Sequence, residues 1–366
     1  MGKAPFCPGG AGMAGKARFS AWGRLGRRNP LYSIPTMSFP PSQHVRVAGV
    51  GAYLPERVVT NEELSASLDT SHEWILSHTG IHQRHLAAPG ESASSMGLLA
   101  ARRALEDAHL LPGDLAMVIV TTSTADYASY PSTAAIIQGN LGAVNAGAFD
   151  LNAACAGFAY GVAMGKCYCQ AQGRPVLVVA SEVNSRILDW HDRGTCVLFG
   201  DGAGAVVLAP SSRPGMLHEV LGADGTGAGY LVREAGLRTP EDILRPPGFV
   251  RMDGRAVFQF AVRAMENVIR RLLSETGHGL EDIQHFIPHQ ANGRILDAVA
   301  RNMGLAPERF FRNIQHVANT SSASIPIALA ELRRQGALKQ GDLILTVAFG
   351  AGLVYGGSLL RWETEG

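Results

Sequence analysis

The feature that most constrains this chain is that it repeats itself. Displaced by 168 residues, Arg102-Arg103-Ala104-Leu105 falls on Arg270-Arg271-Leu272-Leu273, Asp114-Leu115 on Asp282-Ile283 and Val118-Ile119 on Phe286-Ile287, without a gap. The same displacement brings Gly173 onto Gly341, Val176-Leu177 onto Ile344-Leu345 and Ala180 onto Ala348, while one of 162 brings Asn140-Leu141-Gly142 onto Asn302-Met303-Gly304. Several segments matching in the same order are a duplication, and two copies are too few for a solenoid. Short β-rich runs at 117–120, 176–179, 206–208 and 343–347 alternate with amphipathic stretches and glycine-marked turns, the pattern of an α/β fold. The expectation is two similar α/β halves, residues 43–213 and 214–366, packed in layers.

Residues 1–42 stand apart. They are rich in Gly and Pro, carry Lys3, Lys16, Arg18, Arg24, Arg27 and Arg28, and no acid precedes Glu56. They read as a basic flexible tail or as a start assigned too early, with Met37 the alternative beginning; organellar targeting is the lesser reading, and the continuous apolar run of a secretory signal is missing. In the whole chain Lys+Arg 32 against Asp+Glu 31 leaves a net charge of +1, so no global field recruits nucleic acid or an anionic membrane. No run of about 18 apolar residues offers a membrane span. Five cysteines in 366 residues are an odd and sparse set, which points to a reduced, cytoplasmic setting.

The run Phe149-Asp150-Leu151-Asn152-Ala153-Ala154-Cys155-Ala156-Gly157-Phe158 leaves a strand through small residues and enters a helix expected over 156–172, closed by Gly173. Cys155 then sits at a helix N-terminus, where unpaired amides favour a thiolate; the competing reading is an inert core cysteine. Cys167 and Cys169, inside that helix, and Cys196, in an apolar strand, take the core reading. In the second half Ile287-Pro288-His289-Gln290-Ala291-Asn292 delivers His289 at the C-terminal end of a strand, the edge where α/β proteins build sites. Val317-Ala318-Asn319-Thr320-Ser321-Ser322-Ala323-Ser324 is a small polar turn before another helix, and a displacement of 164 sets Asn319 opposite Cys155. Asn319 is also a natural helix cap.

Gly200-Asp201-Gly202-Ala203-Gly204-Ala205 has dinucleotide-loop spacing, but Val206-Val207-Leu208 continues as strand where a helix must begin, so it reads as a strand–strand turn or bulge after a strand at 197–199. Phe349-Gly350-Ala351-Gly352 reads as a glycine turn whose bare backbone can approach a ligand.

Taken together, Asn-Ala-Ala-Cys155-Ala-Gly-Phe, Pro-His289-Gln-Ala-Asn, Asn319-Thr-Ser, Phe-Gly-Asp201-Gly-Ala-Gly-Ala and Glu73-Trp74-Ile through Thr79-Gly80-Ile81 resemble the β-ketoacyl-[acyl-carrier-protein] synthase III family, in unbroken order over about residues 45–362. The resemblance implies a thiolase fold, a homodimer and a catalytic set of Cys155, His289 and Asn319. It implies that Cys155 takes an acyl group from acyl-CoA, acetyl-CoA being the usual starter, and that malonyl-acyl carrier protein is decarboxylated and condensed with it. His289 and Asn319 would stabilise the enolate, and backbone amides of Cys155 and of Gly350, Ala351 and Gly352 the second oxyanion, with Phe349 beside the nucleophile and Tyr130 reaching the partner's acyl pocket. It further implies CoA contacts at Trp74, Thr79 and Arg193, carrier-protein contacts at Gln290 and Arg294, and no metal or redox cofactor.

Departures from the family pattern are His78 where Arg is usual, Val347 where an acid is common, Gln259 where Lys is usual, and Ala351 inside the glycine loop, followed by Leu353. They leave the starter acyl chain open, and with it the choice between primary fatty acid synthesis and a secondary pathway. Two enzyme classes compete: a Cys-His-Asn hydrolase, since His289 follows Cys155 by 134 residues, and an acyl-CoA-dependent acyltransferase of the same fold that performs no condensation.

Overall fold

The computed structural model describes residues 44–234 and 248–364, so expectations for the tail 1–42 and for Met37 lie outside the described residues. The described residues form one compact unit that both halves share. Nine of its described strands form two large sheets. The first runs β1 (His44–Tyr53), β7 (Gly202–Ser211), β6 (Val176–Glu182), β4 (Met117–Thr121), β5 (Gly147–Leu151) across its width. The second runs β8 (Met216–Ala223), β13 (Val354–Arg361), β12 (Leu343–Gly350), β11 (His285–Pro288).

Pairing directions match position by position. In both sheets the first two strands pair antiparallel, the second and third antiparallel, and the third and fourth parallel. The fifth strand of the first sheet has only a vestige in the second, a single parallel bridge from Phe286 to Phe310. The matched strands β4 and β11, and β6 and β12, are those the displacement of 168 aligns.

Three helical layers sandwich the sheets, and hydrophobic period explains why. On β6, Val176, Val178 and Ala180 face one core while Leu177 and Val179 face another, so a continuous apolar run buries both sides of the strand. The middle core holds α5 (Gly157–Gln172) and α9 (Ser324–Arg334) between the sheets. The outer face of the first sheet carries α3 (Ala93–Asp107) and α4 (Thr133–Leu141), and that of the second α6 (Gly254–Thr276) and α7 (Gly293–Asn302). In α6 the apolar stripe Val257, Ala261, Met265, Val268 and Leu272 recurs at helical spacing; Asp253 caps its start and Gly277, at φ +74°, ends it.

Outside the layers, α1 (Asn61–Ser65) and α2 (His72–Thr79) lie between the paired strands β2 (Arg57–Thr60) and β3 (Gln83–Leu86). A second ribbon pairs β9 (Leu231–Arg233) with β10 (Val250–Met252), and α8 (Ile314–Val317) precedes Asn319. No helix among the described residues is long and apolar enough to cross a membrane.

Three local expectations need correction. Residues 197–199 are turn, not strand, with only one bridge, Phe199 to Asn319, because the backbone there bonds to the Asn319 segment: Asn319 N–H donates to Leu198 O and Gly200 N–H to Asn319 O, each at 3.0 Å. Cys196 is therefore buried in a turn. Cys167 is exposed, since the buried face of α5 passes through Ala163 and Cys169. The Gly200-Asp201-Gly202 run does lead straight into β7, as a strand-entry turn.

Candidate active site

The nucleophile motif follows from backbone demands. β5 ends at Leu151, Ala154 adopts φ +44°, and a 3-10 turn, Ala154–Ala156, feeds α5, which ends at Gly173. Cys155 thus stands just ahead of the helix, where only small neighbours fit: a Cβ on Gly157 would lie 3.1 Å from Thr121 Cβ. The second half repeats the device. Its 3-10 turn, Ser321–Ala323, feeds α9 and abuts the Cys155 turn, with the Ser321 hydroxyl donating to Cys155 Sγ at 3.3 Å.

His289 follows Pro288 at the end of β11, held by its own N–H donating to Val347 O at 2.8 Å. Its ring meets Phe349 edge-on, with centroids 5.5 Å apart, and Nδ1 lies 2.7 Å from Ser324 Oγ. Asn319 accepts the Ser321 N–H at Oδ1, 2.8 Å away, which leaves its amide nitrogen without a protein partner among the described residues. Cys155, His289, Asn319 and Phe349 all line one cavity of about 210 Å³, together with Trp74, Arg193 and Arg294 toward its mouth. Cys155 also borders a second cavity of about 560 Å³ lined by Ile187, Val250, Ala351 and Gly352. Cys155 therefore lines both cavities, the smaller of which also carries Arg193 and Arg294.

Burial dominates the electrostatics. It pushes the Cys155 thiol up to about 12 against the Ser321 hydrogen bond, with a smaller push from Glu182, so burial outweighs the helix-terminus effect expected for the thiolate. Burial pushes the His289 imidazole down to about 3, keeping it neutral across the physiological range. Gly350 packs directly on the nucleophile's backbone: a Cβ there would lie 2.7 Å from Cys155 N and 3.0 Å from Ala156 N. Gly352, at φ +136°, occupies a backbone region that side chains rarely adopt.

At the mouth, α2 starts on the Ser71 side chain and ends at Gly80, so Trp74 and His78 share one face. Their rings stack at 4.3 Å and 17°, and the Arg193 guanidinium lies 5.2 Å from the Trp74 ring centroid. Thr79 lines the cavity, but its hydroxyl donates to Ile75 O at 2.6 Å and accepts from Ile81 N–H, so it is wall and not a free donor. Arg294 is exposed at the start of α7.

Gln290 is a correction. It is fully buried, its amide nitrogen donates to Pro288 O and Phe311 O, and its oxygen accepts from Asn313 N–H; such a side chain knits loops together and cannot meet a carrier protein. Tyr130 is 84% exposed and is not among the residues lining either cavity. Among the described residues no cluster of three or more His, Cys, Asp or Glu is placed to hold a metal ion. Glu182, Ser321 and Ser324 were not singled out from sequence; the available signals were an acid ending an apolar strand and the serines of the 319–324 run.

The geometry has counterparts among known proteins. Family models for 3-oxoacyl-[acyl-carrier-protein] synthase III match residues 149–225, and for its C-terminal part residues 273–362. A β-ketoacyl-[acyl-carrier-protein] synthase III of Caldanaerobacter subterraneus is 46% identical over 323 residues, 87% of this chain and 97% of that protein. The chain belongs to the β-ketoacyl-[acyl-carrier-protein] synthase III family. A crystal structure of the synthase III of Pseudomonas aeruginosa is similar at TM-score 0.82 and 43% identity, over 88% of this chain and 99% of that one. The priming β-ketosynthase of the R1128 polyketide pathway is similar at 0.84 and 38%, over 90% and 99%. The synthase III family has the thiolase fold, and the two matched sheets with helices between and outside them are that fold.

Proposed function

We propose that the chain condenses an acyl-CoA starter, acetyl-CoA in the simplest case, with malonyl-acyl carrier protein, losing CO₂ and giving a 3-oxoacyl-carrier protein. The observation that carries this reading is the convergence of Cys155, His289 and Asn319 from two halves on one cavity, in a chain 46% identical to a named synthase III. Cys155 sulfur attacks the thioester carbonyl, CoA leaves, and the acyl-enzyme divides one difficult condensation into two easier steps. Decarboxylation of the malonyl group then puts negative charge on a thioester oxygen. A Ser324 hydroxyl donating to Nδ1 leaves the ring hydrogen of neutral His289 on Nε2, and that N–H with the free Asn319 amide supplies two donors where charge develops. The enolate carbon attacks the acyl-Cys155 carbonyl, whose oxyanion the Cys155 and 350–352 amides would receive.

The stacked Trp74 and Arg193 suit the adenine of CoA, and exposed Arg294 suits an acidic carrier protein at the mouth. Exposed Tyr127 and Tyr130 on one loop support a homodimer in which Tyr130 reaches the partner subunit. Likeness to the polyketide priming synthase favours a second reading, the same chemistry on a starter outside primary fatty acid synthesis. Intact-mass measurement across a panel of acyl-CoAs tests both: an acyl adduct on the wild type, absent in Cys155→Ala and discharged by malonyl-carrier protein, is expected. An unmodified wild type with every acyl-CoA would contradict the proposal, and the chain length preferred separates the two readings.

A further inference from the structure

Glu182, the last residue of β6, is a fully buried acid with no cationic partner among its hydrogen bonds, and the chemistry described so far does not use it. It lies beneath the nucleophile. Its Oε2 is committed as an acceptor: Ser123 N–H donates to it at 3.0 Å, and the Thr124 hydroxyl, whose own oxygen accepts from Val183 N–H, donates at 2.8 Å. Thr122 Oγ1 lies farther off, at 3.4 Å. The other oxygen, Oε1, meets only hydroxyls, Ser322 Oγ at 2.8 Å and Ser321 Oγ at 3.2 Å. Both hydroxyls have alternatives, since Ser322 also reaches Thr121 O at 3.1 Å and Ser321 reaches Cys155 Sγ at 3.3 Å. Oε1 is therefore the oxygen free to gain or lose a proton, and it is the one joined through a single hydroxyl to the nucleophilic sulfur.

Ser321 is placed there at a conformational cost. Its φ of +54° is left-handed, a region non-glycine residues enter only at an energetic cost, and Asn319 Oδ1 holds its N–H in that conformation. Residues forced into such backbone cluster where the surroundings over-determine them for a task.

Resting on the condensing reading above, we infer that Glu182, through Ser321, receives the Cys155 thiol proton during acylation and returns it when the product leaves. In the forward step the S–H bond of Cys155 breaks as its proton passes to Ser321 Oγ, and the Ser321 hydroxyl proton passes to Glu182 Oε1. The thiolate forms the new C–S bond, the thioester C–S bond to CoA breaks, and the departing CoA thiolate takes a proton from solvent. In the condensation step the C–Sγ bond breaks when the tetrahedral intermediate collapses, and the proton returns from Glu182 through Ser321 to Sγ. The site carries one net negative charge before and after each transfer, so the buried pocket never holds a second. Burial raises the Glu182 carboxyl above the usual carboxylate range, so it takes up a proton more readily than an exposed carboxylate, whereas sending the proton to water would leave the Cys155 thiolate as a second charge beside it. The groups that neighbouring elements turn toward the carboxyl are Thr122, Ser123 and Thr124 after β4, Ser321 and Ser322 before α9, and Cys155 beyond Ser321. Cys155 alone among them titrates.

The test is single-turnover acylation of the full chain by a saturating acyl-CoA, followed by mass spectrometry from pH 5.5 to 9, in wild type, Glu182→Gln, Ser321→Ala and the double variant. The wild type is expected to acylate at a rate that is flat with pH wherever Glu182 is ionised and that falls on the acid side, where its raised carboxyl already holds a proton. Either single variant should be slower by about 10²–10⁴-fold at pH 7 and should gain about tenfold per pH unit, because the proton must now leave to water. The double variant should be no slower than the slower single one. Glu182→Gln acylating as fast as wild type, or faster because a negative neighbour is gone, overturns the relay. Should Glu182→Gln fail to fold, Ser321→Ala decides alone: wild-type rate and pH profile there overturn the relay too. A wild type that forms no adduct refutes the condensing function itself, a distinct result.

Discussion

Gly350→Ala is the substitution whose effect follows most directly from distances. The added Cβ would lie 2.7 Å from Cys155 N, 3.0 Å from Ala156 N and 3.3 Å from Ala153 O. All three are backbone atoms of the turn that presents the sulfur, so no rotamer change relieves them. Reaching an ordinary contact of 3.4 Å requires a retreat of 3.4 − 2.7, about 0.7 Å, by the β12 end or by the Cys155 turn. Misplacing a reacting group by 1 Å costs about 10²-fold, so 0.7 Å costs about 25-fold. Misdirecting the Cys155 N–H as an oxyanion donor raises that toward about 10³-fold. Overpacking of this kind costs about 1–3 kcal/mol of stability. Single-turnover CoA release measures the rate, and a thermal melt the stability. Gly139→Ala, in α4 with nothing within 4 Å of the new methyl, is the control: it should raise stability by about 0.5–1 kcal/mol and leave acylation unchanged. A Gly350→Ala protein that acylates within twofold of wild type would falsify the claim that this glycine holds the nucleophile's turn.

Other outcomes follow from the same structure. The folded chain keeps His289 neutral down to about pH 3, whereas the unfolded chain protonates it near 6.5, so the unfolded state binds the extra proton between those values and stability rises with pH across that window. Urea melts from pH 6.5 downward should show a slope up to about 1.4 kcal/mol per pH unit steeper in wild type than in His289→Asn, and equal slopes would contradict the buried neutral imidazole. Trp74→Ala should raise the KM for acyl-CoA about 5- to 150-fold through lost stacking, while the acylation rate at saturation holds; a fall in that rate with unchanged KM would place Trp74 elsewhere in the cycle. Gln290→Ala should lower stability by about 1–3 kcal/mol per stranded buried partner and leave the KM for malonyl-carrier protein unchanged in the folded fraction; the reverse pattern would restore it as a docking residue.

Most of the architecture was legible because the duplication and the hydrophobic period report on the backbone itself. Strands β6 and β12 are apolar on both faces, so their place between helical layers is written in their residues. The helix after Cys155 ends at Gly173 as expected because a left-handed terminus needs glycine. Residues 197–199 misled because an apolar triplet, Val197-Leu198-Phe199, looks alike in a strand and in a buried turn; what decided its conformation is a distant partner, the Asn319 segment. Gln290 misled for the same reason, its amide bonds reaching Phe311 and Asn313 across the fold. Cys155, His289 and Asn319 stood out at strand ends and turns through their flanking small residues and proline, but their joint role came only from the family resemblance; the fold brings all three to one cavity. Glu182 was not, since an acid at a strand end is usually solvated, and only the fold shows the roof of hydroxyls above it.

The proposed chemistry divides its labour, one side chain for covalent capture and two for the enolate. The direct measurement compares acylation by acyl-CoA with CO₂ release from malonyl-carrier protein in His289→Ala and Asn319→Ala. Both variants are expected to acylate Cys155 at near the wild-type rate while losing about 10²–10³-fold in decarboxylation. Loss of acylation with decarboxylation intact in either variant would contradict the assignment.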